Sequence, residues 1–107
     1  MINITALSDM FDGDTECVKE LLGLYLECNA DAATTIEAHY STQDTEALFH
    51  VFHTLSGSLS NLCEEDAVPL IREAEGISKK GEMPSRQQID VIQQHLSKIA
   101  EQVSLSV

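Results

Sequence analysis

The sequence predicts an all-α protein, an antiparallel four-helix bundle with a short N-terminal helix packed across it. Apolar residues recur at three- and four-residue intervals along nearly all of the 107-residue chain, and strand-like alternation is absent. With five glycines and two prolines, little interrupts these stretches. Turn-forming clusters divide the chain into four long amphipathic segments with short connections, the pattern of a bundle. The length suits one domain, residues 1–107.

Each element has its own signals. Ile4 to Phe11 forms the short opening helix, and Asp12-Gly13-Asp14 is a turn that ends in an N-cap. Val18, Leu21, Leu22, Tyr25, Ala32 and Ile36 then make one stripe of a helix about six turns long. Leu24 and Leu26 flank that stripe, so the opening segment is expected to fold across this helix and bury a second side. Ser41-Thr42-Gln43-Asp44 ends it and caps the next, whose stripe is Leu48, Val51, Phe52, Leu55, Leu59 and Leu62. Cys63 to Asp66 is the following break. Its carboxylates Glu64, Glu65 and Asp66 suit the positive end of the third helix. Pro69 is tolerated only in a first turn, so that helix starts near Asp66, turns Val68, Leu70 and Ile71 inward and ends by Gly81. After the connector Gly81-Glu82-Met83-Pro84, Ser85-Arg86-Gln87-Gln88 has the form of a capping box. It opens a last helix with the seam Ile89, Ile92, Leu96, Ile99 and Val103.

Six basic residues against eighteen acidic ones give a net charge of −12, which argues against DNA, RNA or an anionic membrane as partner. A phosphorylated small molecule is equally unsuited unless a second protein brings the cations. No apolar stretch is long enough to span a bilayer, and Met1-Ile2-Asn3-Ile4 has no secretory pattern. Three cysteines, Cys17, Cys28 and Cys63, with no CxxC read as reduced cytosolic thiols in core or half-buried positions. An initiating methionine and a chain that closes just after the last helix lean toward a free-standing protein.

The second long helix holds the residues that point to chemistry. Steps of about 100° put the leucine stripe on one side and His53 opposite it, exposed to solvent. Gly57 lies one turn further on with Ser56 and Ser60 on the flank, and His50 and Glu46 lie one and two turns before. Glycine within a helix costs about 0.5–1 kcal/mol against alanine, so Gly57 reads as keeping the approach to the ring clear. The plainer alternative is a surface histidine beside an incidental glycine. Phe49 is expected to be half-buried against the first helices, with an apolar docking contact as its other role. His50, His53 and Glu46 make half a metal site, but no second ligand pair occurs on another helix, so no metal is expected.

The run Phe52-His53-Thr54-Leu55-Ser56-Gly57-Ser58-Leu59-Ser60-Asn61-Leu62 resembles the signature of histidine-containing phosphotransfer (HPt) domains, His-x-Leu-Lys-Gly-Ser-x-x-x-Leu-Gly. Phe11 to Tyr25, Asp44, and Ile71 to Glu75 also look like the family's layout. The resemblance implies a cytoplasmic phosphorelay carrier, not an enzyme. It would be a monomer that accepts a phosphoryl group on Nε2 of His53. It implies partners that are response-regulator receiver domains, a hybrid sensor histidine kinase, or both. No cofactor is implied for this chain, since Mg²⁺ and a lysine would act on the receiver. Ser56, Gly57, Ser60 and His50 would surround the phosphoryl group, and Phe49 and Glu46 would border the docking surface. Two positions depart from the pattern: the lysine three residues after the histidine is Ser56, and the glycine after the second leucine is Cys63. The lysine's absence from a chain at −12 opens an alternative, a degenerate docking module that tunes a receiver without being phosphorylated.

Overall fold

The capping signals and apolar stripes produce six helices in the computed structural model, which describes residues 1–106. They are α1 (Ile4–Met10), α2 (Thr15–Asn29), α3 (Ala32–Ser41), α4 (Thr45–Asn61), α5 (Ala67–Lys79) and α6 (Arg86–Ser106). α4 packs along α5, α5 and α2 pack on α6, and α3 touches both α4 and α6. The four walls of the bundle are therefore α2 with α3, then α4, α5 and α6. Their inward stripes meet in one core, where Leu22, Ile36, Phe52, Leu55, Ile71 and Ile99 are almost wholly buried.

The expected six-turn helix is two helices. Asn29 donates its side-chain amide to the Tyr25 carbonyl (3.0 Å) and so takes a helix-terminal acceptor. The carbonyl of Asp31 accepts from Thr35 N–H (2.8 Å) and starts α3. Asn and Asp compete with the backbone for hydrogen bonds, which favours ends over interiors. The apolar spacing runs through the break because both helices face the same core. α3 is then held to α6 by Arg86, which donates to both oxygens of Glu37 (2.8 and 2.7 Å) and lies over the Tyr40 ring at 5.0 Å. Those bonds, then one from Gln93, hold the Glu37 carboxyl down to about 2, against an ordinary value of 4.5. The latch's contribution is complete above the ordinary value and is lost as pH falls through about 2.

α1 packs against α2 and buries Leu7. Ahead of it, Ile2 is buried and pairs antiparallel with Glu64. Gln102 of α6 binds both backbone groups of Ile2 (2.9 and 2.8 Å). This segment does not cover Leu24, which is 56% exposed, contrary to the expected second buried side, although Leu26 is partly buried on the core.

The turns explain one departure from the signature. Cys63 has φ +60°, and Glu64 N–H reaches back to the Leu59 carbonyl (3.0 Å) across it. This is a left-handed helix-ending residue, where glycine sits without strain and an L side chain does not. Glu64 itself is buried, and its Oε1 caps α5 by accepting from Ala67 and Val68 N–H (2.6 and 3.1 Å). Its role is thus more specific than a charge near a helix end. The capping box at α6 forms both reciprocal bonds, Gln88 N–H to Ser85 Oγ (3.1 Å) and Ser85 N–H to Gln88 Oε1 (2.8 Å). Cys17 and Cys28 are exposed, less buried than expected, while Cys63 is half-buried against the core, as read. Among the described residues no helix is long and apolar enough to cross a membrane.

Candidate functional site around His53

Asp44 caps α4 by accepting from Ala47 N–H (3.0 Å), and this sets the register of the helix. From that start the core stripe points inward and the His53 side chain is 69% exposed, opposite the leucines as its spacing requires. Nδ1 of the ring lies 3.2 Å from Oε2 of Glu75 on α5. A carboxylate only accepts, so Nδ1 carries the proton, and in the neutral ring the lone pair is on Nε2.

Position 56 is where the helical wheel misleads. Ser56 is 6% exposed, turned into the seam between α4 and α5 and not out beside the ring. Its hydroxyl reaches the His53 carbonyl and Glu75 Oε1, each at 3.1 Å. With one proton to give, it favours the carboxylate, the stronger acceptor. Glu75 is thereby held at both oxygens, by Ser56 on one and His53 on the other.

Phe49 is half-buried, as its spacing predicts. Its ring stacks on His53 (centroids 5.7 Å apart, planes at 21°) and meets His50 edge-on at 5.3 Å. Together with Glu46 and His50 it lines an open groove of about 350 Å³, which Ser78 and Lys79 of α5 close on the far side. His50 also borders a second groove of about 330 Å³, where Val51 and Leu55 face Ala32 at the α2–α3 break. Among the described residues no group of three His, Cys, Asp or Glu comes together as a metal site.

The Hpt domain family's sequence model matches residues 20–102, which takes in all of α4 and α5. The chain belongs to the Hpt domain family. No curated protein and no solved structure matches it. Hpt domains take part in phosphorelay histidine phosphotransfer, as carriers and not as catalytic enzymes.

Within this Hpt domain the structure brings His53, Ser56, Phe49, His50 and Glu46 into one neighbourhood. Ser60 is exposed seven residues beyond the histidine, about 10 Å along the helix, so it belongs to the rim. Gly57 is exposed, and a Cβ added there meets nothing within 4 Å. The space beside the ring is open, and this chain's own packing does not require glycine to keep it so. Sequence reasoning missed the role of Glu75. It lies beside the α5 stripe four residues after buried Ile71, and no local signal distinguishes it from the other acidic residues of an acidic chain.

Proposed function

We propose that this Hpt domain carries a phosphoryl group on Nε2 of His53. It would take the group from the aspartyl phosphate of one receiver domain and pass it to another, in a cytoplasmic phosphorelay fed by receivers or a hybrid sensor histidine kinase. The observation that carries this reading is the exposed ring with Nδ1 engaged by Glu75 and Nε2 left free to react. The Nε2 lone pair attacks phosphorus as the bond to the aspartyl oxygen breaks, and the receiver's carboxylate leaves with that electron pair. The ring becomes an N-phosphoryl imidazolium that keeps its Nδ1 proton, and the carboxylate of Glu75 stabilises the cation. No proton has to leave in this step, so a separate base is not needed. Mg²⁺ on the receiver would balance the charge of the transferred group, which an acidic chain does poorly.

The direct test mixes wild-type protein with a phosphorylated receiver and Mg²⁺ and reads intact mass, acid lability and the modified peptide. An acid-labile, base-stable phosphoryl group on the peptide containing His53 is expected. If a panel of receivers and the small donor phosphoramidate all leave the protein unmodified, the carrier reading falls, and the chain is a receiver-binding regulator.

Two substitutions probe the roles of neighbours. Glu75→Ala removes the acceptor for Nδ1–H and the charge that offsets the imidazolium. Loading by phosphoramidate is expected to slow about 10- to 100-fold, near the low end of what a positioned acid–base partner supplies. A wild-type rate would show that Glu75 is a bystander. Gly57→Ala fits the isolated fold and is expected to stabilise it by about 0.5–1 kcal/mol in urea unfolding. Transfer from a receiver should slow while phosphoramidate loading stays as in wild type, because only the larger donor needs the open space. Equal transfer rates would show that the space is not used for docking.

A further inference from the structure

We propose that Lys79 of α5 contacts the phosphoryl group on His53, supplying from a second helix the positive charge that the signature places at position 56. This inference rests on the carrier reading. Position 56 points into the α4–α5 seam, where Ser56 is buried and bonded to Glu75, so that site is committed to orienting the ring. The cation must come from elsewhere, and the geometry of α5 offers one.

Lys79 lies four residues after Glu75, which places the two on one flank of the helix with Cβ atoms about 5–6 Å apart. That flank is the one Glu75 turns toward His53. One turn further along, Lys79 closes the groove whose opposite wall is Phe49 and His50. Phe49 stacks on His53 itself, so one aromatic ring separates this groove from the phosphoacceptor. Lys79 is exposed and makes no ion pair within 4.0 Å among the described residues, so its ammonium is not committed to a carboxylate. Its four-carbon stem lets that charge swing over a phosphoryl group.

The other cations are placed less well. Arg86 is occupied by Glu37 and Asp90 on a different face. The pairings of Glu75 with His53 and of Lys79 with Phe49 and His50 show that α4 and α5 run antiparallel. Arg72, three residues before Glu75, therefore lies on the Ser56 side of His53 and lines neither groove beside His50. A phosphoryl dianion on a chain at −12 gains from one mobile ammonium at close range more than from charges spread over the surface.

The test uses the full chain as wild type, Lys79→Gln, Lys79→Arg and Lys80→Gln. Each is loaded with phosphoramidate, which needs no docking surface. The phosphoryl group's second ionisation is then followed by phosphorus NMR, and each protein is equilibrated with a receiver to measure how phosphate partitions. Lys79→Gln is expected to raise the midpoint of that ionisation. It should also shift the partition about threefold to tenfold toward the receiver, the scale of one charge-assisted contact at a partly exposed site. Lys79→Arg should restore both readouts, and Lys80→Gln should match wild type. Partition depends only on the end states, so a change in docking affinity does not imitate the effect. If Lys79→Gln loads normally and matches wild type in midpoint and partition, Lys79 has no such role while the carrier reading stands. An equal defect in Lys79→Arg also overturns the assignment. If wild type takes no phosphoryl group from any donor, the carrier reading falls and this inference with it.

Discussion

His53→Gln is expected to abolish phosphoryl uptake while leaving the bundle folded. The side chain is 69% exposed and contributes nothing to the core, so the change in stability should stay within about 0.5 kcal/mol. Glutamine keeps a polar side chain able to donate to Glu75. Its amide nitrogen, whose lone pair is delocalised into the carbonyl, is not a nucleophile. Intact mass after incubation with phosphorylated receiver or phosphoramidate should show no adduct, and thermal melting by circular dichroism should overlay wild type. Uptake that persists in His53→Gln and disappears in His50→Gln would move the acceptor one turn toward the N-terminus of α4. Retained receiver binding by the unphosphorylatable variant is expected, because Phe49 and both grooves are untouched.

Phe52→Ala should have the opposite profile, although the two residues are adjacent. Phe52 is 0% exposed and is among the largest fully buried side chains, packed where the stripes of the bundle meet. Removing a buried aromatic ring costs about 3–5 kcal/mol, the transfer energy of the lost atoms plus a cavity that the helices only partly close. Against a total of about 5–15 kcal/mol for a domain of this kind, that is a large fraction. The urea midpoint should fall accordingly, and phosphoryl uptake should follow the folded fraction and return to wild type when the variant is assayed below its transition. A loss under about 1 kcal/mol would mean that Phe52 is not a packing centre. The two variants together separate the functional face of α4 from its structural face one residue apart.

Much of this was legible in the residues. The seam from Ile89 to Val103 is buried throughout, the capping box forms as read, and Asp14 and Asp44 cap α2 and α4. Each of these rests on interactions within about one turn, so local spacing suffices to find them. The break at Ala30 and Asp31 escaped the same reading because two helices facing one core share an apolar phase across a short interruption. Leu24 was misplaced because an apolar residue beside a stripe is buried only if a neighbour covers it, and α1 does not reach it.

The site divides along the same line. A residue's direction on its own helix follows from the 3.6-residue period, so the exposure of His53, the openness at Gly57 and the company of His50 and Glu46 were determined by the sequence alone. What meets that face depends on the register and tilt of the next helix, set by packing of whole stripes between segments far apart in the chain. Only the tertiary structure, by laying α5 against α4, brought Glu75 to Nδ1 of His53 and turned Ser56 inward to hold it. The same packing brought Lys79 to the groove lined by Phe49 and His50. The proposed nucleophile is thus a local property of one helix, and the groups proposed to orient and charge its surroundings are a property of two.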